Sequence, residues 1–188
     1  MNSQFNRNKW VLDATHSEVQ FKIKHLMIST VTGQFGKFEG TVETEDDDFA
    51  NAKAQFSADI DSISTNNEQR DAHLKNPDFF DAENNPQITF VSDRIEKVVE
   101  DNYKIHGILT LKGVSKQIIL DAELGGIVQD PFGNTRVGFS VNGKINRKDF
   151  GISFGLVSET GGVALSNEVK LLVNAQFIKQ KVAEPQLV

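Results

Sequence analysis

The sequence predicts an all-β fold: an antiparallel eight-stranded barrel with one short helix inserted between the third and fourth strands. Three observations carry this expectation. Apolar and polar residues alternate with period two in eight separate stretches, the pattern of strands with one face buried and one face wet. The outward positions read as charged, so no second layer covers them; closure of the sheet on itself buries the apolar side and removes exposed edges. The links at Val98–Asn102 and Leu111–Lys116 are short enough for antiparallel hairpins. A two-sheet sandwich meets the same pattern and is the architectural alternative.

The stretches follow in chain order. In "EVQFKIKH", Val19, Phe21, Ile23 and His25 share a face. "KFEGTVET" places Phe38, Gly40 and Val42 inward, and "KAQFSADIDS" does so for Ala54, Phe56, Ala58 and Ile60. "QITFVS" aligns Ile88 with Phe90. "YKIHGILTLK" aligns Tyr103 and Ile105 with Leu109 and Leu111 across Gly107, which marks a bulge or close approach. "QIILDAEL" aligns Ile118, Leu120, Ala122 and Leu124, and "TRVGFSVNGKIN" aligns Val137, Phe139, Val141 and Ile145. "EVKLLVNAQFIK" closes the set with Val169, Leu171, Val173, Ala175 and Phe177.

Two connections are longer than hairpins. In "TNNEQRDAHLKNPDFFD", Thr65 and Glu68 have capping-box spacing, which satisfies the first orphan amides of a helix. The helix is predicted from about Asn66 to Lys75, ending before Pro77. It has little apolar periodicity, so Phe79 and Phe80 are its expected anchor. The second connection, residues 147–166, carries Phe150 and Phe154 among glycines, unusual for a plain link.

Composition bounds the rest. The 188 residues suit a single domain over residues 1–188, with a core from about residue 9 to 179 and polar termini. The absence of cysteine excludes disulfides, thiolate metal sites and a cysteine nucleophile. A net charge of −6 without a basic patch argues against nucleic acid as a partner. The N-terminal decapeptide has no apolar run, so the expected location is cytoplasmic; a periplasmic one requires a leader already removed. No stretch approaches the ~20 apolar residues of a membrane helix, so no integral membrane segment is expected. The acidic run "ETEDDDF" lacks calcium-loop spacing and reads as a solvated loop.

An eight-stranded barrel is either filled by side chains or just wide enough for one small ligand. Ala54, Ala58, Ala122 and Ala175, with Gly40 and Gly143, interrupt the large inward residues and point to a slot. The expected channel lining is Phe21, Ile23, His25, Phe38, Phe56, Ala58, Ile60, Phe90, Ile105, Leu109, Phe139, Val141 and Leu171. Such a wall selects an apolar guest.

The stretches "NKWVLDATHSEVQFKIKHL", "VTGQFGKFEGTV", "DSISTNNEQRDAHLKNPDFFDAENNPQITF", "HGILTLKGVSKQIIL", "RKDFGIS" and "EVKLLV" together resemble the YceI-like family, a lipocalin-like group. The resemblance runs from Lys9 to about Ile178, and T-x-N-x-x-R-D-x-H-L followed by D-F-F-D and P-x-I-T-F is its specific core. It implies a lipocalin-like barrel whose channel takes up a polyisoprenoid, such as an isoprenoid quinone, or another long-chain amphiphilic lipid. It also implies a possible homodimer and, for many members, export.

Arg70, Asp71 and His73 fall in that motif. They either hold the helix to neighbouring strands or, for Arg70 and His73, meet a ligand's phosphate or quinone oxygen. The first role is the expected one, with Arg70 and Asp71 each finding a separate partner and Phe79 and Phe80 plugging one end. His16 reads as a turn residue and His106 as outward. Metal-ligand spacing, nucleophile elbow, P-loop and dinucleotide fingerprint are all missing, so no metal, cofactor or catalytic residue is assigned. The expected function is non-enzymatic lipid binding, transport or sequestration. The rivals are a lipid or ester hydrolase using Asp71 and His73, and a filled barrel serving as an interaction module.

Overall fold

The computed structural model describes residues 7–155 and 164–181, so residues 156–163 of the second long connection lie outside the described residues. Among the described residues, eleven strands make one antiparallel sheet. They are β1 (Arg7–Leu12), β2 (Glu18–His25), β3 (Ser29–Phe35), β4 (Phe38–Glu45), β5 (Asp48–Asp59), β6 (Ile63–Ser64), β7 (Gln87–Val99), β8 (Asn102–Leu111), β9 (Val114–Gln129), β10 (Thr135–Asn146) and β11 (Leu165–Lys179). The single α-helix among the described residues, α1, spans Glu68–Lys75.

These eleven segments form eight staves. β11 pairs with β2 along Leu165–Asn174 and with β1 at Phe177–Lys179, so β1 and β2 are two halves of one stave broken at the 3₁₀ turn Ala14–His16. β3 and β4 pair with β2 and β1 respectively, which makes them the second stave. β5 and β6 form the third, interrupted by the 3₁₀ turn Ile60–Ser62. β7 to β11 follow in order, and the contact of β1 with both β4 and β11 closes the ring. The result is a closed eight-stranded antiparallel barrel, as expected. β1, β3 and β6 carried no clear alternation and were not anticipated.

Two regions of the core differ in character. At one end Trp10, wholly buried, packs on Phe49 at 5.4 Å between ring centroids, with Tyr103 and Val137 in the same cluster. The Trp10 Nε1–H donates to Thr44 Oγ1 (3.2 Å), and the Thr44 hydroxyl donates to the Asp46 carbonyl (2.6 Å), so the buried polar atoms at this end are paired. At the other end α1, Phe79 and Phe80 and the 3₁₀ turn Arg147–Phe150 cover the barrel.

Several expectations need correction. α1 is capped by Asn67, whose side chain accepts from the Arg70 amide, and not by the Thr65–Glu68 box; the helix therefore starts at Glu68. Strand alternation does not reach Ile60, because β5 stops at Asp59 and Ile60 enters a 3₁₀ turn, its N–H donating to the Pro86 carbonyl. The outer face is not charged throughout: Val91, Ile108 and Ile119 of β7, β8 and β9 are exposed, as are Val98 and Val99.

The Trp10 end, the closed end of the barrel, is also tied by charge. Arg136 on β10 donates Nη1–H to Asp13 Oδ2 and Nε–H to Asp130 Oδ2, both at 2.7 Å. Arg136 holds both carboxyls far below the usual carboxylate range. Because the folded pKa values are depressed, the stabilisation is fully present above the unfolded value of ~3.9 and fades as pH falls below it. The denaturation midpoint is expected to drop between about pH 5 and pH 2, and to drop less steeply in Arg136→Met, which begins from a lower midpoint at neutral pH. Parallel curves for the two proteins would remove this network from the acid response.

Candidate functional site

The barrel encloses a cavity of about 580 Å³ that extends from Phe49, Phe139 and Phe177 near the closed end to His73, Phe79 and Phe154 beneath the helical cover. Its volume lies within the range of small-molecule sites. Gly40, Ala54, Ala58, Ala122 and Ala175 are among the residues that border it. Ala58 is 1% exposed yet lies on its wall, between Phe38 and Ile88 on the neighbouring strands. Gly33 lets the Phe21 ring lie flat on the wall; a Cβ there would collide with that ring.

Most residues expected in the channel do border it. Phe21, Ile23 and His25 come from β2, Phe56 and Ala58 from β5, and Phe90 from β7. Ile105 and Leu109 come from β8, Phe139 and Val141 from β10, and Leu171 from β11. Two do not border it. Phe38 packs behind Phe56, with ring centroids 6.3 Å apart, and Ile60 is buried in the wall with Phe35 and Ile63.

In the cover, Arg70, His73, Phe79, Phe80 and Phe154 border the cavity, whereas Asp71 and Phe150 do not. Phe150 is 1% exposed and packs inside the cluster of Phe79, Phe90 and Leu111. His73, Phe79 and Phe154 form a three-ring contact with centroid distances of 5.0, 4.9 and 5.2 Å, all edge-on. Edge-on pairs of this kind add roughly 0.5–1.5 kcal/mol beyond area burial. This contact ties the helix-bearing insertion to the second long connection.

Arg70 and Asp71 do not have separate partners, as their adjacency suggested; both converge on buried Thr65. Asp71 Oδ1 accepts from the Thr65 amide (2.8 Å) and hydroxyl (2.6 Å). Arg70 donates Nε–H to the Thr65 hydroxyl oxygen and Nη2–H to its carbonyl, both at 2.7 Å. Every polar group of Thr65 is thereby paired, and α1 is latched to the end of β6. The latch occupies Asp71 Oδ1 with both Thr65 donors, whereas His73 Nε2 meets Asp78 Oδ2 at 3.0 Å on the surface.

Sequence reasoning missed the most buried charge among the described residues. Arg147, only 4% exposed, borders the cavity and has no carboxylate partner among the described residues. It donates Nε–H to the Ser166 carbonyl (2.9 Å) and Nη1–H to the carbonyls of Ile152 (3.0 Å) and Phe154 (2.6 Å). Burial lowers its pKa. Its position after a regular strand resembles any surface arginine, so the sequence holds no local signal for its burial. Among the described residues, the cavity wall carries Arg70, Arg147, His25 and His73 and no Asp or Glu. The remaining histidines lie outside it: His16 meets Asp13 in the 3₁₀ turn, and His106 lies outward between Arg94 and Glu96.

Comparison with known proteins agrees with this architecture. A family model described as a YceI-like domain matches residues 10–177. A UPF0312 protein of Staphylococcus epidermidis is 41% identical over 170 residues, covering 90% of this chain and 96% of its own. A UPF0312 protein of Staphylococcus aureus is 40% identical over 169 residues, covering 89% and 96%. Among solved structures, the Campylobacter jejuni YCEI protein is similar with a TM-score of 0.71 at 36% identity, over 85% of this chain and 91% of that one. Burkholderia cenocepacia BcnA aligns with a TM-score of 0.75 at 25% identity, over 88% and 98%. A polyisoprenoid binding domain from Saccharophagus degradans shares the fold, with a TM-score of 0.68 at 16% identity over 91% and 98%. With the domain model spanning the barrel from Trp10 on β1 to Phe177 on β11, the chain belongs to the YceI-like family.

Proposed function

We propose that this protein binds a long-chain amphiphilic lipid, of the polyisoprenoid class, and carries or sequesters it without a chemical step. The observation that carries this reading is the continuous cavity, walled by aliphatic and aromatic side chains over the length of the barrel. The description of the Saccharophagus degradans domain as polyisoprenoid binding supports the same ligand class. The energetics suit a chain. Burial contributes ~0.8 kcal/mol per methylene-sized unit, so ten such units offset most of the ~4–15 kcal/mol lost on association.

Polarity in the cavity sets the orientation. Arg70, His73 and Arg147 lie at the covered end, with no carboxylate on the wall among the described residues. Such a set favours a head group rich in acceptors, such as a phosphate, carboxylate or quinone oxygen, with the tail directed toward Phe139 and Phe177. A hydrolase reading fits less well, because both Thr65 donors occupy Asp71 and no nucleophile is held against His73 among the described residues.

An organic extract of natively purified protein is expected to contain a long-chain isoprenoid or fatty compound near stoichiometric amount by mass spectrometry. Stripped protein should take up an isoprenoid quinone. An empty extract together with failure to take up either a quinone or a long-chain amide would overturn the carrier reading.

A further inference from the structure

The turn joining β2 to β3 is built from residues that its geometry disfavours. Leu26 and Met27 have φ of 52° and 58°, and the Ile28 amide donates to the His25 carbonyl (3.2 Å). Consecutive positive φ at the centre of a hairpin turn is the geometry in which asparagine and glycine are preferred. Leucine and methionine are strained there. Their side chains, with that of Ile28, are also turned into solvent: Leu26 is 43%, Met27 66% and Ile28 86% exposed. Neither the turn nor the core gains from this choice, so the three side chains have an external use.

Their position supplies it. His25 and Ser29, which flank the turn, border the cavity, and the Leu26 amide donates to the carbonyl of Ala164, another wall residue (2.7 Å). The apolar tip therefore stands on the rim of the covered end. Behind it, on the outer face, Lys22 of β2 is opposite Lys170 of β11, and Lys170 is opposite Lys144 of β10. Like charges directly opposite destabilise a sheet unless something of opposite sign meets them. Within this row Glu168 approaches Lys144 only to 3.8 Å. Lys24, exposed and two residues from the tip, extends the basic surface toward it. In a chain of net charge −6 this concentration is local.

We propose that the Leu26–Ile28 turn is a membrane-docking tip: it inserts into the interface of a bilayer bearing anionic lipid while Lys22, Lys24, Lys144 and Lys170 face the head groups. An apolar wedge backed by lysines is the composition that anchors proteins to such interfaces. Docking there brings the cavity rim against the lipid phase, so an amphiphile can pass between bilayer and barrel without crossing water. The surface interaction itself does not require the cavity to hold lipid, so it stands or falls separately from the carrier reading.

The test is co-sedimentation of the full chain with vesicles. Wild type is expected to pellet with phosphatidylcholine vesicles containing roughly a third phosphatidylglycerol, and to be released by about 0.5 M salt. Replacing Leu26–Met27 with Asn–Gly and Ile28 with Thr should raise the thermal midpoint, because the turn is relieved, while reducing vesicle binding at least about tenfold. Lys22→Gln with Lys144→Gln and Lys170→Gln should abolish the preference for anionic over neutral vesicles. Wild type that stays in the supernatant, or turn variants that pellet unchanged, would overturn the proposal. A wild-type dimer that the turn substitutions dissociate, with no vesicle binding, would assign the tip to a second copy of the chain instead. Loss of vesicle binding with lipid uptake in detergent intact leaves the carrier reading standing; failed uptake with vesicle binding intact removes the carrier reading alone.

Discussion

Trp10→Ala is expected to lower stability by ~3–5 kcal/mol, the cost of truncating a wholly buried large aromatic side chain. For a domain of this size that corresponds to a fall in thermal midpoint of roughly 6–20 °C. Trp10 is 0% exposed and is the residue of β1 that pairs with Val42 on one side and Lys179 on the other. It therefore sits where the barrel closes, and its loss removes the Phe49 contact together with the hydrogen bond to Thr44. Trp10→Phe keeps a ring against Phe49 and should recover more than half of the loss. The check is a denaturant and thermal midpoint for both variants. A shift under about 3 °C for the alanine variant would mean that β1 does not secure the ring.

The weight that Trp10 carries has no signature in local alternation. "RNKWVL" places its apolar residues side by side, so period two fails there, whereas β2 and β10 alternate cleanly and were located with both ends correct. β3 was hidden for another reason: "STVTGQF" offers polar or small residues at most positions, because Gly33 gives its place on the wall to the Phe21 ring. The barrel was legible because one stave in each of the eight positions carried a clear pattern. The breaks within the first three staves depend on 3₁₀ turns or a corner at Gly36, which local alternation does not encode.

The site divides in the same way. Strand residues such as Phe56, Ala58 and Val141 were placed on the wall by alternation alone. Ile60 leaves the channel lining because β5, and with it the alternation, ends at Asp59 and Ile60 begins a 3₁₀ turn. Arg70 and Asp71 were recognised, but their shared dependence on Thr65 arises from the turn between β6 and α1, and adjacency on a helix argues for the opposite. Arg147 opens the stretch "RKDFGIS", but nothing there encodes its burial, because its partners are carbonyls of Ile152, Phe154 and Ser166, groups that every sequence contains.

Ala58→Phe tests the cavity directly. Ala58 is 1% exposed and borders the hollow, with Phe56 two residues before it on the same wall. In a solid barrel an added ring overpacks the core and typically costs ~1–3 kcal/mol. Here the ring can enter space that a lipid chain would otherwise fill, so the apo protein should lose less than ~1 kcal/mol. Lipid uptake should fall by a factor of ten or more, since an added ring takes volume from the cavity that Ala58 borders. Ser57→Phe is the control: Ser57 lies on the outer face, its hydroxyl 3.5 Å from Glu39 Oε1, and uptake should stay at the wild-type level. The measurements are denaturant midpoint and isoprenoid quinone binding for both variants beside wild type. A destabilised Ala58→Phe protein, with a wild type that takes up no lipid, would describe a filled barrel. A stable one that binds lipid normally would place the chain's path elsewhere, along β8 to β10, where Ala122 and Val141 border the same cavity from the opposite strands.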